Sequence, residues 1–198
     1  AEAAALQDFA SQLKKTGGRA HLIALTSKGG VHSHSDHVLA LTKILCAKGI
    51  SVVLHILTDG RDTPPKGAAD SLPDFICDVP QECQIASLCG RYFAMDRDNR
   101  WERTQSFLDL VITGAAAYHY PDVMAGVTAG YARGESDEFL APTLLGDYQG
   151  MANGDGIFIA NFDGHDPAYL KELGSQLSRR LEHVHADEIY VAVHLLLA

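Results

Sequence analysis

The chain has 198 residues, enough for one sizeable hydrophobic core, and we expect a single domain over residues 1–198. Its 16 Lys and Arg against 25 Asp and Glu give a formal net charge of −9. This acidity argues against a general nucleic-acid or membrane-surface partner, because such proteins usually carry net or patchy positive charge. It leaves room for a small anionic ligand bound by a local cluster of arginines.

The four cysteines form no C-x-x-C pair, so zinc-ribbon and thioredoxin-like sites find no support. Cys46 and Cys89 lie in apolar runs, and a reduced, cytoplasmic setting is the simpler expectation. No apolar run approaches the ~18 residues of a membrane span. The chain starts at Ala1 and ends within an apolar run, Val193 to Ala198, which leads us to expect an excised part of a longer protein.

Periodic apolar positions predict strands and helices that alternate along the chain. Short apolar runs predict strands at residues 21–26, 51–58, 84–89, 156–161 and 188–197. Helical spacing predicts helices at residues 1–16, 35–48, 66–77, 99–113, 122–133 and 167–183. Residues 139–153 are expected to be irregular. This order predicts an α/β fold, a three-layer sandwich with a mostly parallel sheet of about five strands flanked by helices.

Polar, glycine-rich clusters follow the first four predicted strands, at residues 27–34, 59–63, 90–100 and 161–166. In a parallel α/β sheet, the loops at the carboxyl ends of the strands share one edge, and ligands bind there. Residues that are far apart in the sequence are therefore expected to meet in one site.

The first cluster contains three histidines, His32, His34 and His37, in the pattern H-x-H-x-x-H. Neutral imidazoles bind zinc and similar ions, so one interpretation is a metal site. The other interpretation is one histidine that faces a ligand and two that belong to a helix start. No Asp, Glu or Cys has clear ligand spacing to the three, which favours the second interpretation.

The second cluster, Asp59 to Asp62, combines a turn with one arginine and two carboxylates. Arg61 can bind a carboxylate or phosphate group, and Asp62 can accept hydrogen bonds from hydroxyl groups. The alternative is structural, since Asp-Gly is a common turn and these charges can pair only with each other. The position at the binding edge slightly favours a functional role.

Residues 90–103 contain four of the chain's 16 basic residues, Arg91, Arg97, Arg100 and Arg103. An arginine guanidinium is a planar set of donors that suits phosphate and carboxylate groups. Arg91 and Arg97 precede the predicted helix and are free to face the binding edge. Arg100 and Arg103 lie on neighbouring helical turns, where a surface network of ion pairs fits better.

Three long motifs follow the first three predicted strands. They are Gly-Gly-Val-His-Ser-His at 29–34, Asp-Gly-Arg-Asp-Thr-Pro-Pro at 59–65, and Gly-Arg-Tyr-Phe-Ala-Met-Asp-Arg-Asp-Asn-Arg-Trp-Glu-Arg at 90–103. In this order and spacing they closely resemble the cofactor-independent (2,3-bisphosphoglycerate-independent) phosphoglycerate mutases. The run Tyr-Ala-Arg-Gly-Glu-Ser-Asp-Glu-Phe at 131–139 is similar to that family too, so the resemblance covers nearly the whole chain.

The resemblance implies one α/β domain of that enzyme. Members of the family combine a phosphatase-like domain, which carries two Mn or Mg ions and a phosphorylated serine nucleophile, with an inserted transferase domain that holds phosphoglycerate. This chain resembles the inserted domain alone. The resemblance therefore implies no cofactor in this chain, and it places the two Mn or Mg ions in the missing phosphatase-like domain.

The function implied by the resemblance is substrate binding in an isomerase of glycolysis that interconverts 3-phosphoglycerate and 2-phosphoglycerate. The chain alone is expected to be inactive. The implied partners are a small anionic substrate, phosphoglycerate, and the phosphatase-like domain of the same enzyme, with no nucleic acid and no membrane. We expect a cytoplasmic monomer.

The resemblance also assigns site residues. The family's substrate-binding positions fall on His32, Arg61, Asp62, Arg91 and Arg97. The chemistry suits glycerate phosphate, a small polyanion that requires arginines. Asp62 is the implied catalytic residue, because a carboxylate can orient or deprotonate a hydroxyl group.

One departure from the family pattern concerns the segment after the fourth predicted strand. The family has Asn-Phe-Arg-x-Asp-Arg there, and its two arginines bind the substrate's phosphate. In this chain both arginine positions hold aspartates, Asp163 and Asp166. Each like-charge contact near ~4 Å costs roughly a few kcal/mol in a partly exposed site. We therefore predict weak or absent binding of phosphoglycerate.

Two alternatives come from other classes of protein. The first is a divergent, standalone binding or regulatory module that has the same fold and no mutase activity. The second is a metal-dependent hydrolase that uses His32, His34 and Asp62. Metal analysis of the purified protein tests the second alternative.

Overall fold

The computed structural model describes residues 4–96, 100–161 and 190–195. Its helices are α1 (Ala4–Thr16), α2 (Ser35–Ala47), α3 (Ala68–Asp78), α4 (Arg91–Ala94), α5 (Trp101–Thr113) and α6 (Val123–Ala132), and a 3₁₀ helix spans Asp137–Phe139. Its strands are β1 (Ala20–Leu25), β2 (Val52–Thr58), β3 (Gln84–Gly90), β4 (Tyr118–Tyr120), β5 (Thr143–Leu145), β6 (Gly156–Asn161) and β7 (Tyr190–Leu195). The helix predicted at residues 167–183 lies outside the described residues. No helix in the described part has the length and apolarity needed to cross a membrane.

The strands form one sheet in the order β4-β5-β3-β2-β1-β6-β7. From β3 to β7 every neighbouring pair is parallel, whereas β5 runs antiparallel to β3. The predicted α/β fold with a mostly parallel sheet flanked by helices is confirmed. All five predicted strands are present, and among the described residues the sheet holds two further short strands, which makes seven.

The two strands that the sequence analysis missed are β4 and β5, each three residues long. A run of three residues is too short to display a two-residue period, so its sequence carries little strand signal. β5 lies within residues 139–153, which were expected to be irregular. Its strand conformation depends on pairing with Ser87 and Leu88 of β3, which are distant in the sequence.

Helices cover both faces of the sheet and give the three predicted layers. Helices α1, α2, α3 and α6 pack on one face, in a core that includes Phe9, Leu54 and Phe158. Helices α4 and α5 pack on the other face, in a second core that includes Phe107 and Ile23. β1 and β2 are buried along their whole length, which explains why both appear in the sequence as nearly continuous apolar runs.

A chain of buried hydrogen bonds crosses β1, β2 and β3, and we call it the relay (Asp155, His21, His55 and Ser87). Asp155 Oδ2 lies 2.9 Å from His21 Nε2, and His21 Nδ1 lies 3.0 Å from His55 Nε2. His55 Nδ1 lies 2.8 Å from Ser87 Oγ. With both imidazoles neutral, one arrangement satisfies every bond: His21 donates to Asp155, His55 donates to His21, and Ser87 donates to His55.

The protonation states of the relay follow from its burial. Burial lowers the pKa of His21, although Asp155 opposes this shift. Burial, followed by the nearby His21 and Arg19, holds the pKa of His55 well below its ordinary value. Burial would raise the pKa of Asp155, but hydrogen bonds from His21 and Arg19 lower it. The relay therefore consists of two neutral histidines beside an ionised carboxylate.

Candidate functional site

A cavity of about 600 Å³ lies where β1, β2 and β3 end. Its lining includes His32 from the β1–α2 loop, Arg61 and Asp62 from the β2–α3 loop, and Arg91 from the start of α4. The structure therefore brings together four of the five predicted site residues. The fifth, Arg97, lies outside the described residues.

Asp59 organises the loop that carries Arg61 and Asp62. It is 4% exposed and directly follows β2. Asp59 Oδ1 accepts hydrogen bonds from the backbone N–H groups of Arg61 and Asp62, and Oδ2 accepts one from Ser27 Oγ at 2.6 Å. Burial would raise the pKa of Asp59, but these bonds and the Arg91 guanidinium hold it below its ordinary value. The loop is thus built around an ionised, buried carboxylate.

Arg91 connects two carboxylates in the cavity lining. Its Nη1 donates to Asp59 Oδ1 at 2.7 Å and to Asp62 Oδ2 at 2.6 Å. Burial would lower the pKa of Arg91, but both carboxylates raise it above its ordinary value. Because α4 begins at Arg91 directly after β3, the strand fixes the position of the Arg91 backbone, from which the side chain extends. Arg91 therefore holds Asp62 in place, a contact that sequence reasoning did not anticipate.

His32 lies beside the same carboxylate, and the other two histidines of the pattern belong to the start of α2. His32 is 6% exposed, and its Nε2 lies 3.6 Å from Asp62 Oδ2. His34 caps α2, because its Nδ1 accepts a hydrogen bond from the N–H of Asp36 at 3.2 Å, and His37 lies within that helix. This division matches the second interpretation of the H-x-H-x-x-H pattern. Among the residues that the structure describes, no group of three or more His, Cys, Asp or Glu side chains could hold a metal ion.

Arg61 is loosely paired. Its side chain is 70% exposed, and its Nη1 lies 3.9 Å from Glu138 Oε1. By contrast, Arg91 and Arg103, which also line the cavity, make ion pairs of 2.8 Å or shorter. Because an exposed ion pair of this length contributes little free energy, the Arg61 guanidinium can turn toward an incoming anion at small cost.

One wall of the cavity is formed by Asp96, Arg103 and Tyr92, none of which was assigned as a site residue from the sequence. Arg103 Nη1 donates to Asp96 Oδ1 at 2.8 Å, and its guanidinium lies 4.0 Å from the centre of the Tyr92 ring. Arg103 was expected in a surface network of ion pairs. It is ion-paired, but it lines the cavity. Helical spacing from Asp96 could not reveal this pairing, because α5 begins only at Trp101.

Gly90→Ala is expected to destabilise the protein by roughly 1–3 kcal/mol, because overpacking forces backbone shifts. A Cβ atom at Gly90 would lie 2.3 Å from the backbone oxygen of Glu138. The φ angle of Gly90 is −69°, which alanine adopts freely, so the expected cost is steric. Urea unfolding followed by circular dichroism measures it.

The matched control is Gly126→Ala on α6, where the added Cβ would meet side-chain methyl groups at 3.2 Å or more. Those methyl groups can move, and alanine favours a helix over glycine, so we expect little change in stability. A Gly90→Ala protein as stable as the control variant would contradict the close contact with Glu138.

The fold and the cavity define an α/β domain with an arginine-lined, polar site at the carboxyl edge of its sheet. The family model described as "BPG-independent PGAM N-terminus (iPGM_N)" matches residues 1–186. The chain therefore belongs to the family of N-terminal domains of 2,3-bisphosphoglycerate-independent phosphoglycerate mutases, as the resemblance of its motifs implied.

Individual relatives agree with this assignment. The chain is 49% identical over 158 residues to the 2,3-bisphosphoglycerate-independent phosphoglycerate mutase of Gluconobacter oxydans, a match that covers 80% of this chain and 31% of that protein. It is 42% identical over 191 residues to the enzyme of the same name from Dinoroseobacter shibae, covering 87% of this chain and 37% of that protein. The chain thus spans about a third of the length of these curated relatives.

A solved structure supports the fold. The chain superposes with a TM-score of 0.81 on a structure described as "Crystal structures of Leishmania mexicana phosphoglycerate mutase at low cobalt concentration". The match covers 96% of this chain and 38% of that chain, at 24% sequence identity. At this identity the likeness shows the α/β fold alone.

Proposed function

We propose that this chain is the substrate-binding transferase domain of a cofactor-independent phosphoglycerate mutase. The observation that carries the proposal is the meeting of His32, Arg61, Asp62 and Arg91 in one cavity, in a chain that belongs to this family. The proposed ligand is phosphoglycerate, which the domain holds while its phosphoryl group moves between two hydroxyl groups. The reaction would belong to glycolysis, in the cytoplasm.

The proposed roles of the residues follow their geometry. Arg61 is exposed and loosely paired, so it would bind an anionic end of the substrate, together with Arg97. Arg91 would bind substrate and also hold Asp62, to which it already donates. Asp62 would orient or deprotonate the substrate hydroxyl, as a carboxylate at hydrogen-bonding distance can. His32 would complete the polar lining beside Asp62.

The proposed partner is a phosphatase-like domain of the same enzyme, which would supply the serine nucleophile and two Mn or Mg ions. The length of the relatives supports a further domain, since this chain spans only 31–38% of them. The transferase domain would then be inactive alone. We propose that it is a monomer.

Calorimetric titration with 3-phosphoglycerate tests the proposal. Because Asp163 and Asp166 replace two arginines of the family pattern, we expect the unaltered chain to show no micromolar dissociation constant. The double variant Asp163→Arg/Asp166→Arg is expected to bind about 10²-fold more tightly or better. The family pattern implies that arginines at these two positions attract the substrate's phosphate, which aspartates would repel, and each 1.4 kcal/mol gained is tenfold in affinity.

The matched control makes the same change of charge away from the cavity, at two exposed aspartates, as Asp8→Arg/Asp74→Arg. It is expected to leave the affinity nearly unchanged, since distant surface charges are screened by salt. Micromolar binding by the unaltered chain would contradict the predicted effect of Asp163 and Asp166. Absence of binding in the Asp163→Arg/Asp166→Arg variant would contradict the proposed function.

A further inference from the structure

Asp137, which has no role in the proposed chemistry, is bonded at all of its polar groups. It is 1% exposed. Its carboxylate accepts hydrogen bonds from Tyr131 Oη and, at 2.8 Å, from the N–H of Ala68 at the start of α3. Its own N–H donates to Pro65 O at 2.8 Å, and its carbonyl accepts from Thr58 Oγ1 at 2.7 Å. Asp137 therefore contacts both ends of the β2–α3 loop, which carries Arg61 and Asp62.

Asp137 begins a short segment, residues 137–140, that we call the wedge. A Cβ atom at Gly60 would lie 2.6 Å from the backbone nitrogen of Glu138, and one at Gly90 would lie 2.3 Å from the backbone oxygen of Glu138. Gly90 also donates its N–H to Leu140 O at 2.7 Å. The wedge is thus inserted between the two residues that immediately precede Arg61 and Arg91. Only glycine at both positions permits so close an approach of backbone to backbone.

The wedge also supplies part of the cavity wall. Glu138 and Phe139 line the cavity, and the Phe139 ring lies 4.9 Å from that of Tyr92. Beyond its carboxyl end, Ala141 donates its N–H to Glu135 Oε2 at 3.2 Å, and Arg133 donates to both oxygens of Glu135. The segment is therefore anchored by hydrogen bonds at both of its ends.

We propose that Asp137 is a positioning residue, which fixes the wedge between the Arg61 and Arg91 loops and so sets the separation of the two arginines. It acts through the backbone of Glu138 and does not touch the ligand. The identity of the ligand in this inference rests on the proposed function. The geometric part of the inference, which concerns only the spacing of the two loops, is independent of the proposed function.

The first experiment needs no ligand. In ¹H–¹⁵N correlation spectra of the full chain, Asp137→Ala is expected to shift the amide signals of Gly60 and Gly90, while those of Ile23 and Ile159 in the central strands stay in place. Asp137→Asn is the conservative variant, because its amide oxygen can accept from Ala68 and its amide nitrogen can donate to Tyr131 Oη. It is expected to restore both glycine signals to their original positions.

The second experiment compares two ligands in the Asp163→Arg/Asp166→Arg chain. 3-Phosphoglycerate carries a phosphate and a carboxylate and can engage two guanidinium groups at once, whereas one guanidinium suffices for inorganic phosphate. Asp137→Ala should weaken binding of 3-phosphoglycerate by about tenfold or more, since misplacement of binding groups by a fraction of an ångström is costly. Binding of inorganic phosphate should change much less.

Each outcome decides the inference. Shifted Gly60 and Gly90 signals, with a selective loss for 3-phosphoglycerate and rescue by Asp137→Asn, support positioning. Unshifted glycine signals, or an equal loss for both ligands, overturn it. If Asp137→Ala does not fold, Tyr131→Phe removes only one of the carboxylate's hydrogen bonds and is measured in the same way. If the Asp163→Arg/Asp166→Arg chain binds no 3-phosphoglycerate, the proposed function fails, and the glycine signals alone decide the role of Asp137.

Discussion

Replacing Arg91 by methionine is expected to destabilise the fold by about 3–5 kcal/mol at pH 7, as is usual when one partner of a buried ion pair is removed. Arg91 and Asp59 have side chains that are 7% and 3% exposed, so the pair is largely shielded from solvent. Asp62, 24% exposed, also loses its donor. Urea unfolding of the two proteins at pH 7, compared at equal m-values, measures the difference.

Arg61→Met provides a matched control, since it makes the same substitution in the same cavity. Arg61 is 70% exposed and 3.9 Å from its carboxylate partner, so we expect a change within about 0.5 kcal/mol. The double variant Arg91→Met/Asp59→Asn should recover part of the loss, because no buried carboxylate then remains uncompensated at that position. Equal stability of Arg91→Met and Arg61→Met would show that Arg91 is not a structural centre of the site.

Stability is expected to fall steeply below about pH 6.5, because the relay binds protons only when the protein unfolds. The folded pKa values of His21 and His55 are lowered by burial, while their unfolded values lie near ~6.5. Below that pH the unfolded state holds more protons, so stability declines as pH falls. Each histidine contributes at most about 1.4 kcal/mol per pH unit.

The carboxylate of the relay adds a second loss at lower pH. The pKa of Asp155 is lowered in the fold, so its contribution is present above the unfolded value of about 3.9 and is lost as pH falls further. Unfolding free energies measured by urea titration from pH 8 to pH 2 should therefore be level near neutrality and then fall, first through the histidines and then, below about pH 4, through Asp155.

His55→Gln tests this assignment, and His119→Gln is its control. His55 is 0% exposed, so its loss should reduce the slope between pH 6.5 and 5 by up to about 1.4 kcal/mol per pH unit. It should also destabilise the protein at pH 8 by about 1–3 kcal/mol, since His21 and Ser87 lose their partner. His119 is exposed and lies outside the relay, so His119→Gln serves as the comparison for removing a histidine elsewhere in the sheet. A slope that His55→Gln does not alter would rule out the relay as its source.

The sequence predicted those parts of the site whose position in space follows directly from their place next to a strand. Four site residues lie at or shortly after the ends of predicted strands: His32, Arg61, Asp62 and Arg91. In a parallel sheet the carboxyl ends of the strands lie at one edge. Their meeting was therefore predictable. The ion-pair partner of each charged side chain was not predictable from the sequence. Arg91 pairs with Asp59 and Asp62, which follow the neighbouring strand, and this pairing depends on the order of the strands in the sheet and on the distance between them.

The sequence by itself determined the fold class, the five strands β1, β2, β3, β6 and β7, and the edge at which the site lies, because continuous apolar runs between helical segments suffice for these. Only the tertiary structure decided three further features. These are the short strands β4 and β5, the wedge at Asp137, and the relay, in which Asp155 contacts His21 although the two residues are 134 positions apart in the sequence. All three depend on contacts between residues remote in sequence, and local periodicity carries no information about such contacts.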